Sequence, residues 1–398
     1  MIKHTTTILD NKLTILTHKN DSPSVCILFT VKFGSNNEKD GQNGIAHLLE
    51  HVVFEGTALF ETAKELSAVI ENVGGELNAM TSKNQTMFYV KVPKEHTQKA
   101  ITVIHQIVCE PTLSEKNIEK EKEIVCHEIE MYNDEPRSYQ WQLLEHNLYT
   151  NHPAKKSISG SVEDVQKLTK EHVREVYSSS YVGANSLITI AGGFTETDVK
   201  AITETFSTMN TGVELIEEFE NDVTNPASIE EHKDIAQVYL AYGSIVPDAP
   251  TREAVCFDVI EAILSKGQSG WLFDACRNKE PLCYDVKASN EVDKTGSLFV
   301  ISVITDVQKE QRVKDVISEQ INRLLHVDTM DVESAKTYIK GKYALHLEDS
   351  LNVAQTMTEQ YVEQTQEYFT QLDSITCEDV ISCVPLLQTH AVVKISPK

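Results

Sequence analysis

The chain of 398 residues lacks the features that mark membrane-spanning and disulfide-stabilised proteins. It contains no run of about 18 apolar residues, and its first residues, Met1–Thr7, include no apolar segment of a secretion signal. None of its eight cysteines stands in a Cys-x-x-Cys pair, and most lie in apolar runs. We therefore expect reduced, buried cysteines in a cytoplasmic protein without a membrane span.

Positive charge is also scarce. Lysine and arginine together number 36 against 60 aspartates and glutamates, which gives a formal net charge of −24. A protein this acidic repels the phosphates of nucleic acids and anionic membranes, so neither is an expected partner. Basic peptides are the ligands that such a charge would favour, and solubility alone is the alternative explanation.

One segment combines two histidines and a glutamate on a single helical face. Residues 44–54 contain no helix breaker after Gly44 and predict an apolar, buried helix. His47 and His51 are four residues apart, so they lie one above the other, with Glu50 on the same side. Burying these groups is costly unless a ligand satisfies them. Zinc held by both imidazoles, with the carboxylate facing its water, would do so, and a hydrogen-bonded or solvated helix face is the alternative.

A catalytic zinc site needs a third protein ligand, and a charged segment downstream offers candidates. Ser114 is a suitable N-cap for a helix over residues 114–135. Glu121 and Glu128 are seven residues apart and share one face of that helix, whereas His127 lies on a neighbouring face. Spacing alone does not choose between Glu128 and His127 as the third ligand.

These segments resemble the signature of the pitrilysin/insulinase metallopeptidases, whose His-x-x-Glu-His order is the inverzincin motif. The likeness extends to three further stretches, Gly34–Glu38, Phe54–Thr57 and Gly74–Ser82, and to the spacing of Glu121 and Glu128. The resemblance implies one zinc ion per chain, held by His47, His51 and Glu128. It implies that Glu121 is an outer carboxylate that supports the site.

The second half of the chain carries a further likeness to the same family. Leu264–Phe273 resembles its glycine-rich loop and is followed by Arg277 and, seven residues later, Tyr284. The resemblance implies that this pair binds the substrate. Without it, a surface arginine and a core tyrosine would be the simpler interpretation.

The two halves of the sequence repeat each other. Gly34 and Gly243 end similar strands 209 residues apart, and Phe88 and Phe299 occupy similar strands 211 residues apart. The predicted strand pairs are 25–35 with 236–244, 86–92 with 297–303, and 186–191 with 391–396. Such a near-constant offset indicates internal duplication.

The predicted fold is therefore α+β, with two homologous domains that each pack helices on a mixed or antiparallel sheet. Residues 1–212 form the predicted zinc-binding domain, and residues 235–398 form the domain that carries Arg277 and Tyr284. Residues 213–234 are predicted to be an acidic linker whose ends are drawn into each domain. Because the matching stretch 254–264 has no histidine, only the first domain is expected to bind the metal.

The activity that follows is a zinc-dependent endopeptidase with Glu50 as the general base. Tyr284 would donate to the tetrahedral oxyanion, Arg277 would hold a peptide carbonyl, and the strand Leu77–Thr81 would offer its edge to an extended peptide. The family's architecture implies that two chains close one chamber, as a homodimer or as a heterodimer with a homologous subunit. The alternative is a non-catalytic, peptide-binding partner in a heterodimer that resembles a processing peptidase.

Overall fold

The computed structural model describes residues 2–216, 219 and 227–398, and these form two compact units with one sheet each. The first unit comprises residues 2–131, 156–216 and 346–360. The second comprises 132–155, 219, 227–345 and 361–398. Residues 217, 218 and 220–226 of the predicted acidic linker lie outside the described residues.

The elements are numbered along the chain. The strands are β1 (Thr5–Ile8), β2 (Thr14–Lys19), β3 (Ser24–Val31), β4 (Glu76–Thr81), β5 (Thr86–Pro93), β6 (Ser186–Gly192), β7 (Ser228–Lys233), β8 (Val238–Ile245), β9 (Cys283–Glu291), β10 (Leu298–Thr305) and β11 (Ala391–Pro397). The helices are α1 (Ile45–Val52), α2 (Ala63–Glu71), α3 (Thr97–Cys109), α4 (Glu115–Asp134), α5 (Pro136–Leu148), α6 (Val162–Lys167), α7 (Lys170–Ser180), α8 (Glu196–Phe206), α9 (Arg252–Ser265), α10 (Trp271–Phe273), α11 (Glu310–Arg323), α12 (Thr329–His346), α13 (Ser350–Val362), α14 (Tyr368–Ser374) and α15 (Cys377–Gln388).

The two sheets share the topology of five strands, and the first sheet has β1 as an additional edge strand. The first has the strand order β1-β2-β6-β3-β5-β4, and the second has the order β7-β11-β8-β10-β9. In each sheet one neighbouring pair is parallel, β2 with β6 and β7 with β11, and the other neighbours are antiparallel. The predicted strand pairs occupy equivalent places as β3 and β8, β5 and β10, and β6 and β11. The predicted α+β fold with two duplicated, mixed sheets is confirmed.

Burial along the strands follows from their place in the first sheet. Strand β3 lies between β6 and β5, and seven of its eight residues are buried. Its nearly continuous apolar sequence suits a strand covered on both faces. Strand β4 lies at the edge, and its residues alternate between exposed and half-buried positions. The most apolar segments therefore define the centre of the unit, and the more polar β4 forms its rim.

Each compact unit includes a helix from the opposite half of the sequence. In the second unit, α5 packs on β8 and β11, and the Gln140 amide donates to the carbonyl of Val393 at 3.2 Å. Gly243 makes this possible, since a Cβ there would lie 2.7–2.9 Å from the side chains of Leu144 and Leu148. Gly243, which the repeat predicted to lie at the end of a strand, thus also leaves room for helix α5 to pack on the sheet.

Helix α13 makes the reciprocal contribution to the first unit. The hydroxyls of Thr358 and Thr189, on β6, hydrogen-bond at 2.7 Å, and both residues are fully buried. The ammonium of Lys91, on β5, pairs with Asp349 just before the helix at 2.5 Å. These contacts join a segment near the C-terminus of the chain to the sheet of the first unit.

The helices of the described residues contain no stretch long and apolar enough to cross a lipid bilayer.

The Thr189–Thr358 hydrogen bond allows a test of how helix α13 is held against the sheet of the first unit. Thr189→Val is expected to lower the free energy of unfolding by about 1–3 kcal/mol, because it leaves the Thr358 hydroxyl buried without its partner. The double variant Thr189→Val/Thr358→Val should recover most of that loss, because neither polar group then remains. Chemical denaturation of both single variants and the double variant measures the coupling, and simply additive losses would contradict it.

Candidate metal centre

Helix α1 presents two imidazoles from consecutive turns. It begins after Gly44, whose φ of 83° lies in the left-handed region, and a Cβ there would lie 2.4 Å from the carbonyl oxygen of Ser159. The apolar residues of the helix are buried in the core of the first unit. The rings of His47 and His51 lie edge to face, with centroids 4.7 Å apart. The predicted helix and the shared histidine face are both present.

The start of α1 is held by a buried carboxylate. Glu38 accepts hydrogen bonds from the backbone amides of Gly44, at 2.9 Å, and Ala46, at 3.0 Å. Burial raises the pKa of Glu38 to about 8, although both hydrogen bonds act in the opposite direction. Such amides at a helix start have no partner within the helix, so Glu38 satisfies two of them. This contact fixes the helix end next to His47.

Helix α4 brings two carboxylates to the histidines. Its apolar residues Ile118, Val125 and Ile129 are buried, which turns Glu121 and Glu128 inward. An oxygen of Glu128 lies 3.4 Å from Nε2 of His51 and 3.7 Å from Nε2 of His47. His127 is exposed to solvent. Of the two candidates that spacing left open, Glu128 is the residue that faces the histidines.

These three side chains can accommodate a metal ion. One ligand atom from each of His47, His51 and Glu128 lies within 4.8 Å of the other two. Two ligands at zinc's usual bond lengths and tetrahedral angle are about 3.3 Å apart. The carboxylate-to-imidazole distances of 3.4 and 3.7 Å are close to that separation. Two nitrogens and one oxygen also match the ligand set of a catalytic zinc site with an open fourth position.

Glu121 supports the cluster from the far side of His51. Its carboxylate lies 3.2 Å from Nδ1 of His51, which leaves Nε2 directed toward Glu128. It also pairs with Lys120 at 3.3 Å. Burial acts to raise the pKa of Glu121, but His51 and Lys120 outweigh it and lower that pKa. An ionised partner on the second nitrogen of a histidine fixes the ring orientation that a metal ligand needs.

The two histidines have different electrostatic surroundings. Burial, together with the neighbouring His51, lowers the pKa of His47 to about 4. Burial also acts to lower the pKa of His51, but the carboxylates of Glu121, Glu50 and Glu128 raise it overall. His47 is therefore neutral near pH 7, the form in which an imidazole binds a metal.

Glu50 lies on the same helix and contacts the edge strand. The hydroxyl of Thr81, the last residue of β4, donates to the Glu50 carboxylate at 2.5 Å. Burial raises the pKa of Glu50, and the Thr81 hydrogen bond opposes that rise. A raised carboxylate pKa favours proton exchange near neutral pH, as a general base requires. In the described part of the chain, β4 pairs only with β5, so its other edge is open.

Arg277 and Tyr284 belong to the second unit, whereas His47, His51 and Glu128 belong to the first. Arg277 lies in a π-helical turn, Asp274–Lys279, and its guanidinium donates to the carbonyl of Tyr284 at 3.0 Å. The guanidinium also stacks over the ring of Phe273. Tyr284, near the start of β9, is 63% exposed. The structure brings the predicted pair together and leaves the tyrosine open to solvent, not in the core.

Two residues at this site had no role assigned from the sequence, Glu38 and Thr81. Both stand in stretches that resemble the family, but their contacts depend on distant partners. A glutamate a few residues before a helix start is a weak signal for a cap, because most such glutamates are solvated. The buried position of Glu38 beside the amides of Gly44 and Ala46 reveals that it caps the helix.

Glu38 provides a test of how helix α1 is held. Glu38→Ala is expected to lower the free energy of unfolding by at least about 2 kcal/mol, because two buried amides lose their acceptor. Hydrogen exchange at Gly44 and Ala46 should accelerate. The matched control is Glu65→Ala, which removes an exposed carboxylate that accepts from the amide of Glu61 and should cost less than about 1 kcal/mol. Equal losses in the two variants would contradict the anchoring role.

Comparison with protein families gives two matches. Residues 13–162 match the model described as insulinase, peptidase family M16, and residues 167–339 match the model described as the peptidase M16 inactive domain. The first match includes His47, His51 and Glu128. The second includes Arg277 and Tyr284.

Named relatives agree with this assignment. An uncharacterized zinc protease of Bacillus subtilis is 27% identical over 334 residues, covering 82% of this chain and 80% of the relative. An uncharacterized zinc protease of Rickettsia bellii is 29% identical over 342 residues, covering 84% and 81%. The β subunit of the mitochondrial processing peptidase of Dictyostelium discoideum is 29% identical over 186 residues, or 47% of this chain and 40% of that subunit.

Solved structures share the fold over the full chain. A protease from Helicobacter pylori superimposes with a TM-score of 0.92 at 21% identity and covers 100% of both chains. A peptidase M16 inactive domain from Pseudomonas fluorescens gives a TM-score of 0.89 at 16% identity, covering 100% of this chain and 98% of the other. With the family matches to both halves, these findings show that the chain belongs to the insulinase family of peptidases, peptidase family M16.

Proposed function

We propose that this protein is a zinc-dependent endopeptidase that cleaves peptides or unfolded segments. The observation that carries the proposal is the convergence of His47, His51 and Glu128, with Glu50 on the same helix as the histidines. These residues would hold one zinc ion per chain. When bound, zinc supplies a Lewis acid that polarises a peptide carbonyl and makes water more acidic.

The carboxylate of Glu50 is the proposed general base. It accepts a proton from the attacking water and returns that proton to the leaving amine. The Thr81 hydroxyl orients one carboxylate oxygen, and so leaves the other for the water. Glu121 holds the ring of His51 through Nδ1 and keeps Nε2 available as a ligand.

The open edge of β4 is the proposed binding site for substrate backbone. An extended peptide would add to this edge as a further strand, with main-chain hydrogen bonds that do not depend on its sequence. Because Thr81 at the end of β4 contacts Glu50, a peptide on this edge lies next to the proposed base. Arg277 is proposed to hold a substrate carbonyl, and the exposed hydroxyl of Tyr284 to donate to the developing oxyanion.

We also propose that two chains assemble to form the working enzyme, as a homodimer or with a homologous subunit. The relatives named as processing-peptidase β subunits support this part of the proposal. In such an assembly, Arg277 and Tyr284 act at the metal of their own chain or at that of the partner. The net charge of −24 favours basic peptides as substrates, and the eight free cysteines favour a reducing compartment such as the cytoplasm.

The second candidate function is a non-catalytic subunit that binds peptides for a partner. The match of residues 167–339 to a domain described as inactive is the observation that favours it. Against it stand the complete ligand set and the neighbouring base in the first unit. The two functions differ in whether the zinc-loaded chain cleaves a peptide.

Glu50→Gln separates these two functions. The variant should bind zinc as the wild type does and cleave peptides about 10²–10⁴-fold more slowly, because it cannot accept the proton of the attacking water. Glu123→Gln, which changes an exposed carboxylate on α4, is the control and should retain full activity. Zinc content and cleavage of a random peptide library are measured on each. Equal cleavage by Glu50→Gln would exclude the base, and a zinc-loaded but inactive wild type would favour the binding subunit.

The third ligand is tested by a pair of adjacent substitutions. Glu128→Gln should weaken zinc binding by at least about 100-fold, because a neutral amide replaces an anionic ligand. His127→Asn changes the exposed residue beside it and should leave zinc affinity unchanged. Competition with a fluorescent chelator gives both dissociation constants. The assignment of Glu128 fails if His127→Asn is the variant that loses the metal.

A further inference from the structure

Two cysteines of the second unit are adjacent in space and directly precede the proposed substrate-binding residues. Cys276 lies in the π-helical turn just before Arg277, and Cys283 begins β9 just before Tyr284. The thiol of Cys283 donates to the backbone carbonyl of Cys276, with 3.8 Å between sulfur and oxygen, and each thiol influences the pKa of the other. The segment from Asp274 to Tyr284 therefore folds back on itself and brings the two cysteines close together.

Backbone contacts hold this turn in place. The amide of Leu282 donates to the carbonyl of Cys276 at 2.9 Å. The carbonyl of Leu282 in turn accepts from the buried hydroxyl of Thr305, on β10, at 2.7 Å. The loop from Cys276 to Cys283 is thus already closed by hydrogen bonds, so a covalent bond between the sulfurs would order little additional chain.

The two thiols differ in access and charge. Cys276 is fully buried in the core of the second unit, whereas Cys283 is half-buried at the start of an exposed strand. The neighbouring Cys276 thiol and the positive charge of Arg277 lower the pKa of Cys283, although burial acts to raise it, while the Cys283 thiol and burial raise the pKa of Cys276. Cys283 is therefore the thiol that a soluble oxidant reaches, and it is the better nucleophile.

A second thiol pair in the same unit differs in solvent access. The thiols of Cys256 and Cys383 influence each other's pKa, and both residues are buried in the core. The Cys256 thiol lowers the pKa of Cys383, whereas burial and the carboxylates of Glu253 and Asp379 act to raise it. Because neither thiol of this pair is exposed, the pair serves as an internal control.

We propose that Cys276 and Cys283 are a reversible oxidation site that forms a disulfide in the presence of a hydroperoxide. The thiolate of Cys283 attacks one peroxide oxygen, the O–O bond breaks, and the products are a sulfenic acid and an alcohol, or water in the case of hydrogen peroxide. The thiol of Cys276 then attacks the sulfur of the sulfenic acid. The S–S bond forms and water leaves, so that two thiols have lost two electrons and two protons to one peroxide.

The wild-type, full-length protein tests the site directly. It is treated with hydrogen peroxide, its remaining thiols are alkylated, and it is digested with trypsin without reduction. Cleavage after Lys266, Arg277, Lys279 and Lys287 separates Cys276 from Cys283. A disulfide should therefore join peptides 267–277 and 280–287 into one species that is lighter by two hydrogen atoms than their sum, and a dithiol should release both.

Single substitutions test the order of events. Cys276→Ser should leave a sulfenic acid at Cys283 that reacts with dimedone, whereas Cys283→Ser should leave Cys276 unmodified. Cys383→Ser, the control in the buried pair, should not change the cross-link. Absence of the joined peptides, a cross-link between Cys256 and Cys383 instead, or direct conversion of Cys283 to a sulfinic acid would overturn the proposal.

The position of the pair gives the modification a consequence, which rests on the proposed function. Cys276 and Cys283 are the chain neighbours of Arg277 and Tyr284, so a covalent bond between the two cysteines constrains the backbone that positions the proposed substrate-binding groups. Displacement of binding groups by about 1 Å weakens peptide positioning, and we expect KM to rise at least about threefold in the oxidised wild type but not in Cys283→Ser. A cross-link without a change in KM would overturn this consequence alone, and a lack of cleavage in every form would count against the peptidase function.

Discussion

The site depends on the contact between helices α1 and α4. There the Glu128 carboxylate of α4 lies 3.4 Å from the imidazole of His51 and 3.7 Å from that of His47, both on α1. Polar groups that are partly buried beside an apolar core are costly unless each has a partner. The fold tolerates this cost because apolar packing fixes the positions of both helices. Two further carboxylates also hydrogen-bond to groups of helix α1. Glu38 holds the start of α1, and Glu121 holds the ring of His51. The cluster is consequently ordered by the fold around it.

The same helix couples this cluster to the edge of the sheet. Glu50 shares α1 with both histidines and receives a hydrogen bond from Thr81 at the end of β4. Helix α1 therefore carries two of the proposed metal ligands and the proposed base, and it contacts the strand whose edge is proposed to bind the peptide. Within the described residues β4 is a terminal strand of its sheet, so one of its edges has no strand partner, and this is the edge proposed to bind a peptide.

The second unit repeats five strands of the first unit's sheet and has a different chemistry. Its helix α9 has no histidine, while its distinctive groups are the Arg277–Tyr284 contact and the thiols that precede each of these residues. The exchange of α5 and α13 means that each unit is completed by a segment from the other half of the sequence. Neither half of the chain therefore contains all the packing that its own sheet requires.

The sequence by itself determined the three strands that repeat in each sheet and the shared face of His47, His51 and Glu50. Those features follow from local periodicity and from repeats at a near-constant offset. The tertiary structure decided that Glu128, and not His127, faces the histidines, and it alone revealed the contacts of Glu38 and Thr81. It also decided which unit holds α5 and α13. These outcomes depend on contacts between residues far apart in the chain, and periodicity carries no information about such contacts, because it describes only which side of an element is buried.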